Sequence, residues 1–146
     1  MTKIFFCYQR NGTSWADGYL SMHTGKEDMA LLGKISSWNN SSRTDAYPGE
    51  CGLVRGSSDG LFSPGITTAS DSISIFSTDL CRPLHFTRAG KQEVHGIPVD
   101  MFDLASTNFA NSSVCPDNSC YNNNLPSGVQ VLHPLLGYVL ILLFRM

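Results

Sequence analysis

Ser72–Ser77 (SISIFS) and Gly96–Leu104 (GIPVDMFDL) alternate apolar and polar residues with a period of two, and no stretch sustains an apolar helical stripe over three turns. This contrast constrains the fold most: the long elements must be strands, and their faces can be assigned. In the first segment Ile73 and Ile75 share one face and Phe76 takes the other; in the second Ile97, Val99 and Met101 fall together. Pro83–Arg88 reads as another strand, and the turn formers around Ala89–Gly90 predict that it pairs with Gly96–Leu104. Nearer the amino terminus, Ile4–Tyr8 and Asp17–His23 flank Asn11-Gly12, a dipeptide suited to the positive φ angles of a tight hairpin. Lys26–Lys34, ended by Gly33, reads as a helical turn, and Ile35–Trp38 as a short strand. From Asn39 to Ser70, and again from Asn111 to Gln130, turn-forming residues recur too often for a long element. The expected class is mostly β (α+β), with short helices and long loops.

At 146 residues the chain is one domain or part of one. Its formal net charge of −2, with Lys and Arg scattered singly, leaves no basic face for nucleic acid, so no nucleic-acid partner is expected. Charged residues make up 15% of the chain against about 25% in average usage, and Ser, Asn, Gly and Thr take their place. Such a surface suits an extracellular protein. Asn-x-Ser/Thr glycosylation acceptors at Asn11, Asn39, Asn40 and Asn111, all in turn-like sequence, point the same way. Against this, the amino-terminal apolar stretch Ile4–Tyr8 is too short for the core of a signal peptide.

Few residues suggest catalysis. Gly56-Ser57-Ser58-Asp59-Gly60 matches the G-x-S-x-G nucleophile elbow, with Ser58 as formal nucleophile and Asp and His residues downstream. An elbow needs a buried strand before it and a helix after it, yet Arg55 precedes it and Leu61-Phe62-Ser63-Pro64-Gly65 follows. A serine hydrolase is therefore a remote reading, to be revived by fluorophosphonate labelling that Ser58→Ala abolishes. His23, His85, His95 and His133 form no HExxH or i, i+4 pair. The five cysteines, Cys7, Cys51, Cys81, Cys115 and Cys120, lack neighbouring His at ligand spacing, so no metal site is expected. The glycines at 49, 52, 56 and 60 do not open an amphipathic helix, so no phosphate loop is expected and no cofactor is implied.

Four segments in fixed order carry a resemblance: YPGECGLVRGSSDGLFSPG, ISIFSTDLCRPLHF, HGIPVDMFDL and PDNSCYNNNLPSGV. With YQRNGTSWADGYLSMHTGKEDMALLGKISSWNN before them, they resemble the ectodomain of the class B scavenger receptors, in the insect-type branch of croquemort and the sensory neuron membrane proteins. The resemblance implies part of a β-barrel-cored ectodomain over residues 1–130. In such receptors the ectodomain lies outside the cell between two membrane helices absent from this chain, and binds lipid, lipoprotein or apoptotic-cell ligands. It also implies a bridge between Cys51 and Cys120, and a family cysteine at Cys81 whose usual partner is missing; Cys115 is open as a substitute partner. Cys7, in an apolar strand, reads as a buried thiol.

The resemblance implies a non-enzymatic membrane receptor in its parent form and a fragment inactive as encoded, with ligand-binding residues unassigned and Arg55, Arg82 and Arg88 read equally as surface residues or contacts. The alternative is a soluble or secreted β-rich decoy. Glycosylated protein in insect-cell medium favours the decoy, and rapid intracellular degradation favours the fragment. Strand edges without neighbours predict a poorly soluble chain. Residues 131–146 (VLHPLLGYVLILLFRM) read as a divergent hydrophobic tail outside the family fold, shorter than the ~20 residues that cross a bilayer.

Overall fold

A computed structural model describes residues 19–54, 56–58, 60, 72–78, 80–122, 125–131 and 141–143. Strands dominate them. β1 (Leu20–Met22) pairs antiparallel with β2 (Ile35–Trp38). β3 (Ser72–Ser77), β4 (Arg82–Val94) and β5 (Ile97–Leu104) form an antiparallel meander, and β6 (Val129–Val131) pairs with β7 (Ile141–Leu143). The three sheets are open. One short helix, α1 (Ser119–Asn122), follows a 3-10 turn at Pro116–Asn118.

The hairpin expected around Asn11-Gly12 falls outside the described residues, and β1 is seen only in its pairing with β2. Leu20–Met22 pairs with Ile35–Trp38, in the register Leu20 to Trp38 and Met22 to Ile35, while Ile4–Tyr8 lies outside the described residues. The intervening chain reverses through a 3-10 turn at Met29–Leu31, where the Asp28 carboxylate accepts from Ala30 N at 2.9 Å. Asp28 thus supplies an acceptor for an amide that the turn itself leaves unpaired.

The β4–β5 turn differs from the one expected. Ala89–Gly90 does not reverse the chain: β4 runs on to Val94, and His95 (φ 50°) and Gly96 (φ 82°) make the turn. Two successive left-handed residues give the hairpin its type I′ twist, and His is among the non-glycine residues that tolerate that region. Ala89 is instead the extra residue of a bulge, because Arg88 faces Phe102 and Gly90 already faces Met101. The consequence is a change of face. Before the bulge, Leu84, Phe86 and Arg88 share a face with Ile75, Phe102 and Leu104; after it, Gly90, Gln92 and Val94 pair with Met101, Val99 and Ile97 on the opposite face.

The core lies where the first hairpin meets the meander. Ile35, Trp38, Tyr47, Val54, Phe76, Cys81 and Tyr121 are buried together, and the Trp38 and Phe76 rings stand 5.6 Å apart at 60°. Phe76 reaches this core because it lies on the face of β3 opposite Ile73 and Ile75, as the alternation predicts. Between the sheets, Ile35 N donates to Ser57 O, Ser58 N to Ser74 O, and Phe76 N to Ser58 O. The Ser57–Ser58 segment therefore stitches β2 to β3.

The loop after β2 folds back tightly enough to exclude a side chain at Gly52. Thr44 N donates to Gly52 O at 2.7 Å, and a Cβ on Gly52 would lie 2.7 Å from Tyr47 O and 2.8 Å from Thr44 O. Both obstacles are backbone, so they cannot swing away. Gly52→Ala is expected to cost about 1–3 kcal/mol, as overpacking does; an unchanged urea midpoint would contradict this close approach.

Candidate functional site

Arg82 opens β4 on the face of Leu84 and Phe86, and only 3% of it is exposed. Its guanidinium lies 3.7 Å from the centre of the Tyr121 ring and 5.8 Å from that of Phe109. Nη1 donates to Gln130 Oε1 at 3.4 Å and Nη2 to Asn118 Oδ1 at 3.3 Å, while Nε has no hydrogen-bond partner. No carboxylate pairs with it among the described residues. Aromatic faces and amide oxygens thus replace a counter-ion, an arrangement that holds a buried cation only while each neighbour stays in place.

Those neighbours are themselves held. Gln130 Nε2 donates to the Tyr47 hydroxyl at 2.8 Å, and Asn118 Nδ2 donates to Thr107 O and Ala110 O at 2.7 and 2.9 Å. Tyr47 meets Tyr121 edge to face at 4.7 Å, and the Tyr121 hydroxyl donates to Cys51 O at 2.9 Å. Burial is the main cause of three shifts: it lowers the Arg82 pKa, raises that of Tyr121 against the opposing Arg82 charge, and pushes Tyr47 up to about 12. Because folded Tyr47 keeps its proton where an unfolded tyrosine loses it, its contribution is whole below about pH 10 and falls by roughly 1.4 kcal/mol per pH unit up to about 12. Tyr47→Phe should flatten the decline of the urea midpoint between pH 9 and 11; equal slopes in both proteins would contradict a buried phenol.

A disulfide joins Cys51 to Cys120 across a cleft of about 730 Å³ above Arg82, with Cα atoms 6.4 Å apart. Pro48–Cys51 forms one wall, Cys115–Tyr121 the other, and Pro83 and His85 also line the cleft. Cys81 and Cys115 are not joined to each other: Cys81 is buried with its sulfur 3.4 Å from Thr78 O, and Cys115 lies half-buried in the cleft wall.

The meander contributes a different surface. Beyond the bulge, β4 and β5 form a ribbon on whose one face Val94, Ile97, Val99 and Met101 line up. Ile97 is 64% exposed, Val94 46% and Met101 39%, and Val99 is half-buried. The other face carries Lys91, Glu93 and Asp100, and Arg88 pairs with Asp100 at 3.0 Å beside Phe102. An apolar strip backed by charged residues is built to meet an apolar partner on one side only.

The remaining sequence candidates are distributed. Ser58 is 4% exposed; its Oγ lies 3.3 Å from Ser74 O, to which it donates, and 3.3 Å from Gly60 N, from which it accepts. Its hydroxyl is thus bound to backbone within a sheet junction, not at the elbow that GSSDG suggested. Asn39 and Asn40 are exposed in the turn after β2, with φ angles of 51° and 62°, and Asn39 Oδ1 accepts from Tyr19 N at 3.0 Å. Asn111 is half-buried, with Nδ2 donating to Leu125 O at 2.6 Å, and Asn11 lies outside the described residues. Among the described residues no group of three or more His, Cys, Asp or Glu could hold a metal ion, and no helix is long and apolar enough to cross a membrane.

The CD36 family model matches residues 1–138, nearly the whole chain. The chain belongs to the CD36 family. Protein peste of Drosophila melanogaster is 34% identical over 135 residues, covering 90% of this chain and 24% of that protein. Scavenger receptor class B member 1 of Mus musculus is 31% identical over 114 residues, covering 77% and 22%, and lysosome membrane protein 2 of the same species is 27% identical over 124 residues, covering 81% and 25%. The chain therefore spans about a quarter of the length of the relatives it matches. Two of these relatives are named as a scavenger receptor and a lysosome membrane protein. The Arg82 network was missed in the sequence, although alternation aligned Arg82 with the apolar positions Leu84 and Phe86.

Proposed function

We propose that this segment supplies a lipid-contacting surface to a class B scavenger receptor, which acts as a non-enzymatic receptor for lipid or lipoprotein ligands or for apoptotic cells. The observation that carries this reading is the strip Val94, Ile97, Val99 and Met101, held open to the outside on one face of the β4–β5 ribbon. Fully burying a side chain of this kind contributes about 1.5–3 kcal/mol, so four in line offer useful affinity for an acyl chain or sterol. The disulfide Cys51–Cys120 and the exposed acceptors Asn39 and Asn40 support placing this region on the extracellular or lumenal side of the membrane. Asn111 is a weaker glycan acceptor in this reading, because its amide is bound to Leu125 O.

The test compares the two faces of the ribbon in one assay, the binding of a fluorescent fatty acid. Ile97→Asp with Val99→Asp should weaken binding by at least about tenfold, since two buried apolar contacts are lost. Glu93→Gln, on the opposite face, should leave it unchanged. Equal affinity in all three proteins would contradict the assignment of the strip.

A further inference from the structure

Three cysteines line the cleft above Arg82. Cys51 and Cys120, bonded to each other, come from its two walls, and Cys115 carries a thiol on the same wall as Cys120. All three residues are half-buried, so bridge and thiol are both within reach of solvent. The sulfurs of Cys51 and Cys120 lie 3.6 and 3.9 Å from the carbonyl oxygen of Asp117, two residues after Cys115. The bridge thus rests on the 3-10 turn that Cys115 begins.

We propose that Cys115 exchanges with this bridge, making the disulfide a latch with two positions. The Cys115 thiolate attacks Cys51 Sγ; the Cys51–Cys115 bond forms as the Cys51–Cys120 bond breaks, and Cys120 leaves as a thiolate that takes up the proton Cys115 gave to solvent. One disulfide and one thiol are present before and after, so no oxidant or reductant is consumed. Geometry selects Cys51 over Cys120 as the sulfur attacked. Cys115 and Cys120 are joined by a 3-10 turn running into α1, and five residues rising about 1.5–2 Å each would hold their Cα atoms about 8–10 Å apart. A disulfide needs about 4.4–6.8 Å. Cys51 arrives from the opposite wall and carries no such restraint.

The exchange moves the anchor of the Pro48–Cys51 wall five residues along its partner wall. Tyr121 follows Cys120, and its hydroxyl donates to Cys51 O while its ring covers Arg82. Loss of the neighbouring bond frees that ring to move. The second position of the latch is therefore a cleft with a more accessible cationic floor.

Disulfide mapping tests this on the full 146-residue chain. Because the thiolate is the attacking species, the protein is held at about pH 8.5 without added thiol, quenched in acid, alkylated and digested for mass spectrometry. A Cys51–Cys115 peptide should appear beside Cys51–Cys120, at a rate independent of protein concentration, and should be lost in Cys115→Ser. Cys120→Ser, secreted from insect cells, should carry Cys51–Cys115. The proposal is overturned if the wild-type chain retains only Cys51–Cys120 with Cys115 fully alkylated, or if Cys115 is found bridged to Cys7 or Cys81. The wild-type result stands alone should Cys120→Ser fail to fold.

Discussion

Replacing both Cys51 and Cys120 with serine is expected to lower the unfolding free energy by about 4 kcal/mol, the chain-entropy value for closing a loop of this size. The bridge spans a sequence separation of 69 residues and ties the turn at Gly49–Gly52 to α1. Urea denaturation followed by tryptophan fluorescence at low protein concentration measures the loss. The single variants should differ. Cys120→Ser leaves Cys51 free to bond Cys115 and should keep part of the stability, while Cys51→Ser leaves the Pro48–Cys51 wall with no bridge and should cost as much as the double variant. Equal losses in the two single variants would count against the exchange, and a double variant as stable as the parent would mean that the bridge does not hold the two walls together.

Arg82→Ala is the other large effect, about 3–5 kcal/mol. Truncation removes the cation beneath Tyr121 and strands Gln130 Oε1 and Asn118 Oδ1, two buried acceptors that Arg82 satisfies. An unpaired buried polar group costs about 1–3 kcal/mol by itself, and the space left under two aromatic rings adds to it. Arg82→Met should cost less than Arg82→Ala: it fills most of the volume and removes a desolvated charge that has no carboxylate partner among the described residues. If Arg82→Ala shifts the urea midpoint no further than a surface substitution does, the network is not structural.

These two sites differ in how far the sequence announced them. The faces of SISIFS and GIPVDMFDL were legible because a strand's period is fixed, and Phe76 and the set Ile97, Val99 and Met101 fall where alternation places them. The change of face at Ala89 was not legible. A bulge inserts one residue without any mark in composition, and the glycine beside it reads as a turn; the true turn uses His95, a residue with no strong turn signal. For that reason Val94 could not be assigned to the apolar strip until the register was known. The Arg82 network was hidden differently: Asn118 and Gln130 lie in a segment whose asparagines and prolines signal loops, and nothing local shows that their amides converge on one guanidinium. The Cys51–Cys120 pairing came from family resemblance, since spacing alone leaves several pairings open.

Photo-crosslinking decides whether the apolar face of the β4–β5 ribbon meets lipid in the receptor. The full-length receptor, displayed on cells, is exposed to a photoactivatable fatty acid or sterol, irradiated, and digested for mass spectrometry. Adducts are expected on Val94, Ile97, Val99 or Met101, competed away by unlabelled lipid, with none on Lys91, Glu93 or Asp100 of the opposite face. Competable adducts elsewhere in the receptor, with the ribbon unlabelled, would contradict it.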